Sequence, residues 1–195
     1  HALGVELEDH KGRSLHAFSI WIDYRSGVGG FLRKNPKATD AEVLACETKH
    51  SSRLKQSQAI LAYLDQQSLN SLNTPLLVGG DWNCPSHLDL TQATSNAFKF
   101  RRPLPLPVST GMKTAGFLDT YRAIHPDPVK HPGNTWSPLF RINQEGDALP
   151  MNRIDRLYYK SNRKQPMLKP VKATVYPEKL EDNAVPVRQR KFPSD

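Results

Sequence analysis

The chain has 195 residues, 37% of them hydrophobic, and 27 Lys and Arg against 19 Asp and Glu, for a formal net charge of +8. That length suits one domain with a sizeable core, and no apolar run reaches the roughly 20 residues of a membrane-spanning helix. The cationic excess suits a polyanionic substrate such as nucleic acid or phosphorylated lipid, and Cys46 and Cys84 are too few for a disulfide framework or a zinc cluster. Cys84 and His87 stand three apart, but no second ligand pair accompanies them. His1-Ala2-Leu3-Gly4 lacks the basic-then-apolar pattern of a leader, and the chain starts without Met, so localisation is left open.

In chain order, Val5–Glu8 and Leu15–Asp23 read as a hairpin turning at Lys11-Gly12. Alternation in the second strand puts His16, Phe18, Ile20 and Ile22 on one face. Gly27-Val28-Gly29-Gly30 lacks the Lys-Ser/Thr of a phosphate cradle and reads as a flexible loop. Thr39-Asp40 caps a helix starting near Ala41. Ser51–Gln67 is the clearest helix, with Leu54, Ile60, Leu61 and Leu64 on one stripe.

Leu76–Val78 is a short buried strand after Pro75, followed by a helix over Asp89–Phe98. Three prolines make Arg102–Pro107 a connector, Ser109 caps a short helix to Ala115, and Leu118–Ile124 is another. His125–Pro138 is a long irregular loop, Arg153–Tyr159 a strand and Val171–Tyr176 a last strand. The groups Arg101-Arg102, Lys160 with Arg163-Lys164, and Arg188 with Arg190 and Lys191 read as solvated surface. A phosphate-tracking groove is the competing reading.

Three segments carry chemistry. The apolar run at Leu76 ends in Gly79-Gly80-Asp81-Trp82-Asn83, which puts a carboxylate and an amide at a strand's C-terminal end, where open α/β sheets bind ligands. An Asx-rich turn would use the same residues. In Arg153-Ile154-Asp155-Arg156-Leu157, a period of two puts Asp155 on the face of Leu157 and Tyr159. A carboxylate among apolar neighbours calls for a cationic partner, a surface ion pair being the plainer form of one. The third segment is Ser194-Asp195.

Together, in this order, the three resemble the signatures of the endonuclease/exonuclease/phosphatase superfamily, whose members are metal-dependent phosphohydrolases: Gly-Asp-x-Asn, Arg-(Ile/Leu)-Asp and Ser-Asp-His. Gly116–Arg122 and Asn134-Thr135-Trp136 fit the intervening region. The resemblance implies an α/β fold, a four-layered sandwich with helices outside two packed mixed sheets. Residues 1–195 would form a single domain that lacks its N-terminal strands and the residue after the terminal Ser-Asp. It further implies hydrolysis of a phosphate ester, by phosphodiesterase, nuclease or phosphatase action. Asp81 would orient the attacking water, Asn83 would bind the scissile phosphate, and Asp155 would hold the histidine of the terminal motif. Asp195 would help bind Mg²⁺ or Mn²⁺, since an all-oxygen site suits those ions.

The departures are specific. The family's terminal histidine would be residue 196, and its metal-binding glutamate lies on strands upstream of His1, so residues 1–195 alone are expected to be inactive. Trp21 stands where the family's strand-end histidine belongs. That substitution favours the alternative reading, a non-catalytic relative that binds a phosphorylated or protein partner through the same scaffold. Asp23 just beyond it is a loop ion pair or an auxiliary ligand, the ion pair being preferred. Asp119 reads as a helix N-cap, Trp136 as a core residue near the site, and Trp82 as packing beneath it.

Overall fold

The computed structural model describes residues 2–67, 69, 74–99, 101–136, 151–161 and 168–176. Strand β1 (Ala2–Glu8) pairs antiparallel with β2 (Ser14–Trp21). The turn between them places Gly12 at φ +70°, and the Asp9 carboxylate accepts the Lys11 and Arg13 backbone N–H groups. That left-handed φ suits glycine. Strand β2 runs parallel to β3 (Leu76–Asp81). A parallel neighbour requires a long crossover, and the chain supplies it as three helices: α1 (Val28–Lys34), α2 (Asp40–Thr48) and α3 (Arg53–Gln66).

After β3 come α4 (Gln92–Ala97), α5 (Pro107–Thr114), β4 (Leu118–Asp119), α6 (Thr120–Ile124) and β5 (Asp155–Lys160). Strand β5 inserts antiparallel between β3 and β4, giving a five-stranded mixed sheet of order β1-β2-β3-β5-β4.

Residues directly opposite across a ladder share a face. One face of the sheet carries Phe18, Ile20, Leu76, Val78 and Tyr158, which pack with Ile60 and Leu64 of α3 and Val108 and Met112 of α5. A second cluster joins Val28 and Leu32 of α1 to Val43 and Cys46 of α2 and to Leu104 and Leu106. The other face carries Leu3, Val5, Leu7, Trp21, Leu118 and Leu157, all exposed. Residues 168–176 pass over part of it, enclosing a cavity of about 790 Å³ against Leu77, Gly79, Leu157 and Tyr159.

The chain is thus mixed α/β. The described residues form one sheet with its helical cover on one face, and the second sheet of the expected four-layered sandwich is not among them. Other expectations need correction. Gly27–Gly30 is not a loop but the entry to α1, where buried Val28 and Leu32 supply the burial that outweighs the glycines' poor helix propensity. The helix expected from Ser109 starts at Pro107, whose missing N–H costs nothing at a first helical turn. Val171–Tyr176 has no ladder partner among the described residues and is not a strand.

Of the paired glycines of β3, Gly80 sits where a side chain cannot. Gly80 has φ +141°, and a Cβ there would stand 2.0 Å from the Ile20 carbonyl oxygen, a backbone atom. At Gly79 the nearest obstacle is the Leu157 Cδ1 at 2.8 Å, the end of a flexible side chain. Gly80→Ala is therefore expected to cost upwards of about 2 kcal/mol by combining backbone strain with overpacking. Gly79→Ala should cost clearly less. Urea unfolding of both variants checks the order.

Candidate functional site

The edge where β3 ends gathers the sequence candidates. Register places Trp21, Asp81 and Asp155 in one row across β2, β3 and β5, on the exposed face of the sheet. The strands hold together just past that row. The Ile22 N–H donates to the Asp81 carbonyl at 3.1 Å and the Trp82 N–H to the Ile154 carbonyl at 3.0 Å. Asn83 then adopts φ +50°, a left-handed conformation that asparagine tolerates better than most residues. Its backbone N–H donates to Asp81 Oδ1 at 2.8 Å, and its Nδ2 donates to the Ile22 carbonyl at 2.7 Å. The Asx turn is present, and together with the bond to Ile22 it fixes the direction of the amide.

Burial raises the Asp81 carboxyl above its ordinary value, and the facing Asp155 raises it further. The Asn83 N–H and side chain and the Arg156 charge draw it back only in part. Asp155 is exposed, with its backbone N–H bonded to Thr135 Oγ1 at 2.9 Å. Among the described residues it forms no ion pair. Asp195, the expected metal ligand, lies outside the described residues. No group of three or more His, Cys, Asp or Glu side chains that could hold a metal occurs among the described residues.

Beneath the turn Trp82 packs as expected, and Arg156, which sequence patterns missed, joins it. Trp82 is fully buried, packs edge-on against Tyr158 at 5.1 Å and donates Nε1 to the Arg156 carbonyl at 3.2 Å. The buried Arg156 guanidinium donates to the Cys84 carbonyl and to the Tyr158 hydroxyl, so it clamps the Asp81–Cys84 turn to β5 from below. Burial pushes the Cys84 thiol up to about 12, which makes it inert.

Farther along, Arg153 donates to Asp119 Oδ2 at 2.7 Å and to Asp89 Oδ1 at 3.1 Å. Arg122 donates to the same Asp89 oxygen at 2.6 Å. Asp119 also accepts the Arg122 N–H as the N-cap of α6, as its position suggested. The Arg-Ile-Asp motif is thus two devices, with Arg153 turned inward to carboxylates and Asp155 turned outward.

Further expectations resolve against the same geometry. Asp23 is a loop ion pair, 2.8 Å from Arg25, and also receives the Ser52 N–H at 2.7 Å, so it staples the end of β2 to the start of α3. Arg101 and Arg102 are not a solvated pair. Arg101 donates to the Met151 carbonyl at 2.8 Å and sits over the Phe98 ring, and Arg102 donates to the Ala38 carbonyl and Asp40. Lys160 donates to the Ala115 carbonyl at 2.8 Å. Trp136 is 39% exposed and not a core residue, and its backbone forms an isolated bridge to Asn152.

No known family's sequence profile matches the chain. An uncharacterised Caenorhabditis elegans protein, F14F9.5, is 30% identical over 164 residues, covering 82% of this chain and 51% of that protein. The chain therefore spans about half the length of the curated relative it matches. Among solved structures, the human Nocturnin catalytic domain with a bound sulfate anion superposes with a TM-score of 0.39 at 14% identity, over 82% of this chain and 40% of that one. Truncated Caenorhabditis elegans TDP2 gives 0.41 at 16% identity, over 82% and 45%.

The buried ion pairs make a prediction. Arg153→Met would leave Asp89 and Asp119 short of a cation, which typically costs 3–5 kcal/mol, or roughly 6–20 °C in Tm for a domain of this size. Arg13→Met, at an exposed pair with Asp9, should leave the midpoint near wild type. Burial pushes the Asp89 carboxyl up, but Arg153 and Arg122 outweigh it and hold it below its ordinary 3.8. A depressed carboxyl stabilises the fold above the unfolded value, and that stability is lost as pH falls below about 3.8 through the folded pKa. Denaturant unfolding from pH 7 to pH 3 should show this loss in the wild type and much less of it in Asp89→Asn.

Proposed function

We propose that the protein to which this chain belongs hydrolyses a phosphate ester with the help of a divalent cation. The observation that supports this reading best is convergence. Asp81, Asn83 and Asp155 come from two motifs some seventy residues apart in sequence, and they meet at one sheet edge with Asp81 opposite Asp155. In this reading Asp81 takes a proton from the attacking water, a task for which a carboxyl above its ordinary range is the better base. Asn83 positions a phosphate oxygen. One of its two amide hydrogens is committed to Ile22, which fixes the plane of the amide and leaves the second for a phosphate oxygen or Asp81. Asp155 keeps the role that the resemblance gives it, orienting the histidine of the terminal motif, and Asp195 remains the expected metal ligand.

The described residues fit a hard cation in their donor type. They offer two facing carboxylates, and Mg²⁺ commonly makes do with one or two carboxylates, retained waters and the phosphate of its substrate. Bound there, such an ion would neutralise charge on the phosphoryl oxygens and support the leaving oxygen.

A second reading has its own observation. Trp21 stands directly beside Asp81 in the row, 60% exposed, and an indole cannot supply the cationic donor of a histidine. A binding module that covers its partner with that ring would need no turnover.

Turnover of a generic phosphodiester by the full-length protein with Mg²⁺ separates the two. Asp81→Asn is expected to abolish turnover and Asn83→Ala to lower it by orders of magnitude. Because the folded Asp81 carboxyl lies above its unfolded 3.8, its ionised form weakens the fold at neutral pH, and that penalty fades as pH falls through the folded pKa. Asp81→Asn should therefore match or exceed wild-type stability at pH 7. The acidic limb of the rate profile, set by Asp81, should move to lower pH in Asp155→Asn. Near-normal turnover in a folded Asp81→Asn protein would exclude the assigned mechanism.

A further inference from the structure

Next to the turn that carries Asp81 and Asn83 lies a buried carboxyl with no part in the proposed reaction. Glu47, in the last turn of α2, is fully buried. Its Oε2 accepts the Val108 N–H at 3.2 Å. Val108 lies in the first turn of α5, whose own N-cap residue, Leu106, makes no side-chain cap bond, so the cap comes from another helix. Its other oxygen, Oε1, makes no hydrogen bond among the described residues, a costly position for a carboxyl. Burial pushes the Glu47 carboxyl up, and the Val108 N–H, the Arg53 charge, the Cys84 thiol and the Arg156 charge draw it back in part.

Those partners join the helices to the turn. Cys84 directly follows Asn83 and is fully buried. Arg156 of β5 donates to the Cys84 carbonyl through Nη1 and to Cys84 Sγ through Nη2, the latter at 3.6 Å. Arg53 opens α3 and donates to the carbonyls of Arg25 and Ser26. Three carboxyls are buried among the described residues, and two of them, Asp89 and Asp119, pair with Arg122 and Arg153. Glu47 is the third, and the cations it meets are Arg53 and Arg156. Its loss would strip counter-charge from both guanidinium groups, one of which clamps the turn.

We propose that Glu47 is a positioning residue for the site: through Cys84 and Arg156 it holds the turn in which Asn83 aims its amide and Asp81 faces Asp155. Such a hold matters here because Asn83 sits at φ +50°, a conformation that persists where its surroundings enforce it. Glu47 acts through the residue next to Asn83, not on the reacting atoms. Its consequence for turnover rests on the phosphoester-hydrolase reading; its consequence for the Asn83 amide does not.

Two measurements on the full-length protein keep the two apart. The first is native-state hydrogen exchange of the Asn83 N–H, the donor to Asp81 Oδ1, in Glu47→Gln, Cys84→Ala and the double variant. Gln keeps the size of Glu and a carbonyl oxygen for Val108, so the fold is expected to survive, and Cys84→Ala reaches the same link from the turn. Exchange should quicken roughly ten- to a hundredfold in each single variant. The double variant should go no further, because the two side chains act in series. Val43→Ala removes core volume from the same helix and keeps the carboxyl, so it should lower stability without quickening Asn83. The second measurement is turnover of a generic phosphodiester with Mg²⁺, where Glu47→Gln is expected to lower kcat roughly tenfold or more and leave KM near wild type. Quickened Asn83 exchange in a protein that hydrolyses nothing would uphold the positioning role and sink the hydrolase reading. Unchanged Asn83 exchange in folded Glu47→Gln, single effects that multiply in the double variant, equal quickening in Val43→Ala, or wild-type kcat in an active Glu47→Gln enzyme would each overturn the positioning role.

Discussion

Buried guanidinium groups hold this structure in place. Arg53, Arg122, Arg153 and Arg156 are all buried, a placement that is costly unless every charge is met by hydrogen bonds or counter-charge. The chain meets it in two ways. Arg122 and Arg153 face the buried carboxylates of Asp89 and Asp119, two cations against two anions. Arg53 and Arg156 donate to backbone carbonyls, those of Arg25 and Ser26 and those of Cys84 and Arg153, and the buried Glu47 carboxyl adds a counter-charge to both, while Arg53 Nε and Nη1 make no hydrogen bond among the described residues. Arg53, Arg122 and Arg156 each therefore fix a loop that has no ladder of its own, because a carbonyl that accepts from a buried guanidinium cannot move without stranding the charge. The segments so fixed are the β2–α1 connection, the turn after β3, and the stretch from α6 to Pro132.

That rigidity is what lets the edge of β3 hold an unfavourable arrangement. Asp81 faces Asp155, Asn83 sits at positive φ, and Gly80 occupies a backbone conformation open to almost no other residue. Strain of this kind persists where the surroundings over-determine it. The surroundings here are Trp82 locked against Tyr158, the Arg156 clamp, and the Asn83 amide tied across to β2. An oriented amide beside a carboxyl shifted above its ordinary range is the form such a site needs before any ligand arrives.

The elements that the sequence made legible are those whose signals are local. The Thr39 capping box, the hairpin at Gly12 and the apolar stripe of α3 all depend on residues within a few positions of one another. The Asp81–Asn83 turn was legible for the same reason. Helix α1 was not, because the pull of glycine against helix is local and the burial of Val28 and Leu32 that overrides it is tertiary. Trp136 was misplaced because ring size suggests a core position, and only the fold decides that its side chain lies at a cavity mouth. The buried arginines were the hardest to see. A pattern reading treats Arg as surface, and nothing near Arg153 in sequence announces Asp89 or Asp119. The one available signal was Asp155 and Arg156 on consecutive positions of a strand with Leu157 and Tyr158, where alternation must turn one of the two charges inward.

The row Trp21–Asp81–Asp155 also bears on what can approach it. It holds two carboxylates and an indole, and no member of it is cationic. A phosphate ester brought to this row alone would meet like charge at close range, a repulsion of several kcal/mol at the effective dielectric of a protein surface. Lys169 and Lys172 line the cavity beside Asp155, and Arg33 and Lys34 line the one beside Asn83, so cations flank the row without neutralising it. Flanking charge can draw in and orient a polyanion, but it cannot replace a positive charge between the two carboxylates and the phosphorus. For the proposed hydrolysis the missing charge has to come with the ligand as a divalent ion, and the row is built of the oxygen donors such an ion prefers. In a binding module the same row would present an exposed indole beside two carboxylates, which suits a cationic protein surface and repels a phosphorylated one.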